Sequence, residues 1–169
     1  PRNKTRNWQL LSHRIGHSIN KYNPTGMLLK DPVDNWFLEG FSSYIEVVAT
    51  HEVGIVTDQS YWNTLYDKYL RVLRNSPEDN FALADEPDAR GDATEFLHYT
   101  KGPLVVKLLE IWVERKSGRS LVGFMKEMWA KYGRYQEPFP LREELETYAG
   151  TSLDDFWYHF VDRPGHVVP

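Results

Sequence analysis

Trp36-Phe37-Leu38-Glu39-Gly40-Phe41-Ser42-Ser43-Tyr44-Ile45-Glu46-Val47-Val48-Ala49 is the stretch whose reading decides the fold. Its polar members Glu39, Ser42, Ser43 and Glu46 recur at three- and four-residue spacing, which places them along one stripe of a helix. Trp36, Phe41, Tyr44, Val47 and Val48 fall largely elsewhere on the same helix. The spacing predicts a helix over about residues 35–49, with two carboxylates two turns apart on its polar side. The serines between those carboxylates are small enough to let a second helix come close.

Upstream, His13-Arg14-Ile15-Gly16-His17 lies in a segment where Trp8, Leu11, Ile15 and Ile19 also recur at helical spacing. That apolar stripe is expected to be the core side of a first helix, with His13 and His17 on the opposite side. Two histidines four residues apart sit one turn apart, so both imidazoles can converge on one Zn²⁺ while a carboxylate from a neighbouring helix completes the set. Glu39 is the candidate third ligand. In an H-E-x-x-H motif a glutamate directly after the first histidine takes the proton of the metal-bound water. Here Arg14 holds that place, and a guanidinium has no acceptor. The link from Asn20 to Asn35 is short, so the two helices are expected to be antiparallel or steeply crossed with their polar stripes facing.

The remaining periodicities are also helical. A third helix is expected over Tyr61 to Arg74 with Trp62, Leu65, Tyr69 and Leu73 as its buried stripe. Residues 75–95, broken by Pro77, Pro87 and Gly91, read as a long loop. Helices resume over Thr100 to Ser117, Leu121 to Tyr132 after a Ser120 cap, Leu141 to Tyr148, and Leu153 to Asp162. Ser152 and Asp155 have the spacing of a capping box, and Arg163-Pro164-Gly165 stops the last helix. With no internal repeat and no convincing strand, the expected fold class is all-α, an irregular helical bundle forming a single domain over residues 1–169. Hydrophobic residues make up 41% of the chain, yet no apolar run approaches the roughly 18 residues of a membrane span. The 20 basic and 24 acidic residues give a net charge of −4, and the bases are dispersed, which argues against a nucleic-acid surface. The absence of cysteine excludes disulfides and all-cysteine zinc sites while leaving the compartment open.

Taken in order, His13 to His17, then Trp36-x-x-Glu39-Gly40-Phe41 with Tyr44 and Glu46, then Tyr99-Thr100-Lys101-Gly102, resemble the gluzincin zinc aminopeptidases. That family includes the alanyl aminopeptidases and leukotriene hydrolase, with the glycyl aminopeptidases as a near neighbour. The stretch Leu153-Asp154-Asp155-Phe156-Trp157, followed by Arg163-Pro164-Gly165-His166, resembles the end of the family's catalytic domain. The resemblance implies the C-terminal, helical half of a thermolysin-like catalytic domain. It implies His13, His17 and Glu39 as zinc ligands, Glu46 as the carboxylate that orients a ligating histidine, and Tyr99 as the hydroxyl that stabilises the oxyanion. It also implies a hydrolase acting on a peptide substrate or ligand.

The sequence departs from the family pattern in four places. Arg14 replaces the general base, Leu38 stands where asparagine is common, and no G-x-M-E-N strand precedes the first histidine. Glu39 follows His17 by twenty-two positions, a longer gap than usual, which puts an insertion near Asn23-Pro24-Thr25-Gly26. The chain is therefore expected to be a fragment of a longer peptidase-like protein, with an upstream domain of the same parent as a partner. It is expected to bind zinc weakly or not at all and to leave peptides uncut, as a pseudoenzyme. Arg14 is expected either to pair with Glu39 or Glu46, occupying the third ligand, or to swing to solvent, which leaves the three ligands available to zinc but without a base. The alternative is a non-catalytic peptide-binding or helical scaffold module derived from a peptidase. His51-Glu52-Val53-Gly54-Ile55 begins like a zinc motif but ends on a residue that cannot ligate, and His98, His159 and His166 have no metal spacing to one another.

Overall fold

A computed structural model describes residues 2–20, 32–34, 36–88, 96–132 and 139–165; for residues 2–6, 17–20, 32, 78 and 86–88 it describes the backbone alone. The described chain is all-α. Helices α1 (Arg2–Asn20) and α2 (Trp36–Glu52) come first. A composite third helix then runs through α3 (Asp58–Thr64), a π-helical segment π1 (Leu65–Leu70) and α4 (Arg71–Leu73). A second π-helical segment, π2 (Leu97–Lys101), leads directly into α5 (Gly102–Ser117). Helices α6 (Leu121–Tyr132), α7 (Leu141–Ala149) and α8 (Asp154–Phe160) complete the bundle. The proposed insertion at residues 23–26 lies outside the described residues.

The core gathers around α5, which meets α2 most extensively and α6, α7 and α8 as well. Trp36, Phe37, Phe41 and Tyr44 pack with Val105, Val106, Leu109 and Val113, and with Leu121, Phe124, Leu145, Phe156 and Trp157. Burying each such side chain contributes roughly 1.5–3 kcal/mol, so α2 is held firmly from one flank. A smaller cluster of Val47, Tyr61, Leu65 and Tyr69 fastens the third helix to α2. Arg142 of α7 donates to Asp34 at 3.0 Å and to Asp162 at 2.9 and 2.7 Å. The buried Asp34 lies just ahead of α2, so this cluster anchors the end of the helix that carries Glu39. Gly118 closes α5 in a left-handed conformation (φ 69°) that a residue with a Cβ adopts only under strain.

Four expectations require correction. The stripe of α1 is not core: Trp8, Leu11 and Ile15 are 49, 46 and 49% exposed, and the Ile19 side chain lies outside the described residues. Backbone proximity decides the contact instead, because the two helices come close at Gly16, where a Cβ would meet Ser42 Cα at 3.0 Å. The displaced apolar side chains, with Ala49, Val53 and Ile55, line an open groove of about 490 Å³.

On the third helix, Tyr61 is buried and Trp62 is 59% exposed. Tyr61, Leu65, Tyr69 and Leu73 form the buried line, each four residues from the next. In a pure α-helix such a line drifts around the axis. The wider i→i+5 turns of π1, seen in the Arg71 N–H bonding to the Tyr66 carbonyl, offset that drift.

Residues 75–95 are also not one loop. Short 3₁₀ turns occupy Pro77–Asn80 and Leu83–Asp88, and Ala82 and Leu83 are buried. The Ala84 N–H donates to the Val161 carbonyl at 3.0 Å; residues 89–95 lie outside the described residues. Finally, Ser152 and Asp155 make no capping box. Ser152 Oγ accepts from the Asp154 N–H at 3.0 Å, while Glu146 reaches over from α7 to accept from the Leu153 N–H at 2.8 Å. The Ser120 cap does form, with its hydroxyl accepting from the Gly123 N–H at 3.0 Å.

Candidate functional site

The site is built where α1 crosses α2 at Gly16 and Ser42. Ser42 is fully buried against Gly16 of α1, as a small residue between the two carboxylates permits, and Ser43 beside it is buried as well. This close approach sets His13 between Glu39 and Glu46, two residues about 10.5 Å apart along an ideal helix. His13 Nε2 lies 3.9 Å from a Glu39 oxygen, and His13 Nδ1 lies 3.4 Å from a Glu46 oxygen. One imidazole thus addresses a different carboxylate with each ring nitrogen. Glu39 lies in the first turn of α2, where the helix dipole favours negative charge.

The Tyr99 side of the site is assembled by a second close backbone contact. A Cβ on Gly40 would sit 3.0 Å from the carbonyl carbon of Gly102, so the residue after Glu39 meets the residue that follows π2 and opens α5. The Gly102 N–H bonds to the Leu97 carbonyl, closing the i→i+5 turn that carries Tyr99. The Tyr99 ring centroid lies 6.3 Å from that of His13, and His98 packs edge-on against Tyr99 at 5.9 Å. Tyr99 is 41% exposed, so it is not a core aromatic. It stands in π2, which leads directly into α5, the helix containing Leu104, Leu108 and Trp112.

His17 belongs to α1, but its side chain lies outside the described residues. Among the described residues no group of three or more metal-ligating side chains is assembled. Two tetrahedral donors each about 2.1 Å from one zinc stand about 3.4 Å apart, and His13 Nε2 and Glu39 Oε2, at 3.9 Å, are set somewhat wider than that spacing. Arg14 is solvent-exposed on α1. His51, the false start of a second motif, is held by Asp58 at 2.7 Å and lies against Tyr61. His166 lies outside the described residues.

Two lysines enter the site's architecture without a role read for them in the sequence. Lys68, on π1, is ion-paired with the Glu46 oxygen that faces away from His13, and its ammonium lies 5.0 Å from the Tyr69 ring centre. Burial works to lower the Lys68 pKa, but Tyr69 and Glu46 outweigh it and hold the group above its ordinary value. No sequence signal marked Lys68, because its partner is twenty-two positions away on another helix.

Lys101 is 1% exposed, and its ammonium donates to the carbonyls of Asp79 (2.6 Å), Phe81 (2.6 Å) and Gly165 (3.1 Å). Two chain segments, at residues 79–81 and at Gly165, are thereby fastened to the turn that carries Tyr99. Burial pushes the Lys101 pKa down to about 8, with Asp79 opposing. The Tyr-Thr-Lys-Gly motif carried this signal, since its lysine and glycine are the residues that build the turn.

No family model, no curated protein and no solved structure matches this chain.

Proposed function

We propose that this chain is the metal-site part of a zinc metallopeptidase-like catalytic domain of aminopeptidase type, with hydrolysis disabled by Arg14. The observation that carries this reading is the His13 imidazole held between Glu39 and Glu46, with Tyr99 beside it. A lone ion pair needs only one carboxylate. A ligating histidine needs one nitrogen facing the metal and its co-ligand, and the other facing an orienting acceptor. His13, Glu39 and, from the other end of the motif, His17 are the residues to hold the ion. A bound zinc supplies Lewis acidity toward a peptide carbonyl and its attacking water. Tyr99 offers a hydroxyl donor where negative charge develops on that carbonyl oxygen. The missing function is proton removal: Arg14 stays protonated, and its charge opposes a divalent cation nearby.

The test is metal analysis and a peptidase assay on the unmodified chain beside Arg14→Glu. The expected result is little zinc and no cleavage in the former, and stoichiometric zinc in the latter. Robust metal-dependent cleavage by the unmodified chain overturns the loss of hydrolysis. Failure of both forms to take up zinc overturns the metal-site reading in favour of a peptide-binding or scaffold module.

A further inference from the structure

We infer that Lys68 is a positioning residue for His13, acting through Glu46: by occupying one carboxylate oxygen it turns the other onto Nδ1 and leaves Nε2 as the electron-pair donor facing Glu39. The inference deepens the zinc-site reading and takes its significance from it. Glu46 is only 12% exposed and lies between an imidazole and an ammonium. A carboxylate with one partner can rotate about its last torsion and present either oxygen in several directions. With Lys68 on Oε1, the Oε2 atom stays 3.4 Å from His13 Nδ1, an ion-pair separation that a closure of a few tenths of an ångström turns into a hydrogen bond.

An ionised carboxylate only accepts, so its orienting effect is to draw the single proton of the neutral imidazole onto Nδ1. The lone pair then lies on Nε2, the nitrogen 3.9 Å from Glu39 and the one a shared ion would use. Lys68 reaches this position from π1, and Tyr69 beside it is anchored by its hydroxyl to the Ser43 carbonyl at 3.4 Å on the same helix as Glu46. The ammonium is therefore delivered by a fixed element rather than by a free surface side chain.

Positioning and plain charge make opposite predictions for metal binding. If Lys68 acted only as a nearby positive charge, removing it would tighten zinc binding. If it positions Glu46, removing it weakens binding by about tenfold, the low end of the effect of losing a ligand-orienting partner.

The experiment compares the full chain with Lys68→Met and Lys68→Arg. The His13 tautomer is read from imidazole ¹⁵N shifts at a pH where the ring is neutral, without metal. Zinc affinity is read by chelator competition in the Arg14→Glu background. The expected result is a dominant Nδ1–H tautomer in the unmodified chain and in Lys68→Arg, a reduced Nδ1–H fraction in Lys68→Met, and about tenfold weaker zinc binding in Arg14→Glu/Lys68→Met. Adding Lys68→Met to Glu46→Gln should change the tautomer no further.

An unchanged tautomer in Lys68→Met, or tighter zinc binding, overturns the inference. If Arg14→Glu takes up no zinc, the metal-site reading fails by itself, and the tautomer comparison still decides the role of Lys68. Because the Lys68 side chain is 48% exposed, its replacement should leave the helical circular dichroism and the melting temperature unchanged.

Discussion

Gly40 and Gly102 meet backbone to backbone, so that a Cβ on the first would stand 3.0 Å from the carbonyl carbon of the second. Glu39 precedes one of these glycines, and the turn bearing Tyr99 ends on the other. The contact therefore sets the distance between the acidic and the aromatic sides of the site. In Gly40→Ala the obstructing atom is backbone and cannot swing aside, so α2 and π2 must separate. The expected loss is about 1–3 kcal/mol in urea denaturation. A change in the ring-current shift between Tyr99 and His13 should accompany it; stability equal to the parent would show that the two elements separate freely.

Lys101 makes stability depend on pH in a definite direction. Its folded-state pKa is about 8, against an ordinary 10.5 in the unfolded chain. Between those values the unfolded chain binds more protons, so the stability of the unmodified protein rises with pH through this window relative to Lys101→Met. At about 1.4 kcal/mol for each pH unit, the gap between the two should widen by at most about 3 kcal/mol. At neutral pH, Lys101→Met should be less stable by about 1–3 kcal/mol, because three carbonyls lose their donor. Chemical denaturation at pH 7, 8, 9 and 10 checks both statements, and a gap that narrows as pH rises would contradict the assignment.

Exposure on α1 predicts a contrast between leucines. Leu11 is 46% exposed and Leu109 is fully buried. Leu11→Ala should change stability by less than about 1 kcal/mol, whereas Leu109→Ala should lose about 2–5 kcal/mol. Equal losses in thermal unfolding would restore the apolar stripe of α1 to the core.

Tyr99→Phe separates a chemical role from a packing role. With 41% of its surface exposed and its ring retained, the variant should keep its stability within about 0.5 kcal/mol. In an Arg14→Glu form that turns over, it should lower kcat by about 10²-fold with little change in KM, as expected of a donor engaged chiefly in the transition state. Unchanged turnover would reduce Tyr99 to an aromatic of the site wall.

The sequence by itself determined the helices and the order of the chemical groups along them. Three- and four-residue spacing is a local property of the backbone, so the stripe of Glu39 and Glu46 and the span of α6 could be read without knowing any partner. The small residues Ser42 and Ser43 between those groups also marked where a second helix could come close; that Gly16 is its partner emerged only from the folded chain.

Tertiary structure decided what local periodicity does not encode. An apolar stripe states that a face would gain from burial; it does not state which neighbour arrives. Backbone proximity at Gly16 therefore turned His13 inward and left Trp8, Leu11 and Ile15 half exposed. The π turns exchanged Trp62 for Tyr61 in the core, because the hydrogen-bond register that sets the residues per turn is a compromise among packed neighbours. Lys68 and Lys101 found their partners over separations of twenty or more residues. Such pairs exist only after the chain has folded, since the energy that selects them comes from geometry in three dimensions and leaves no period along the sequence.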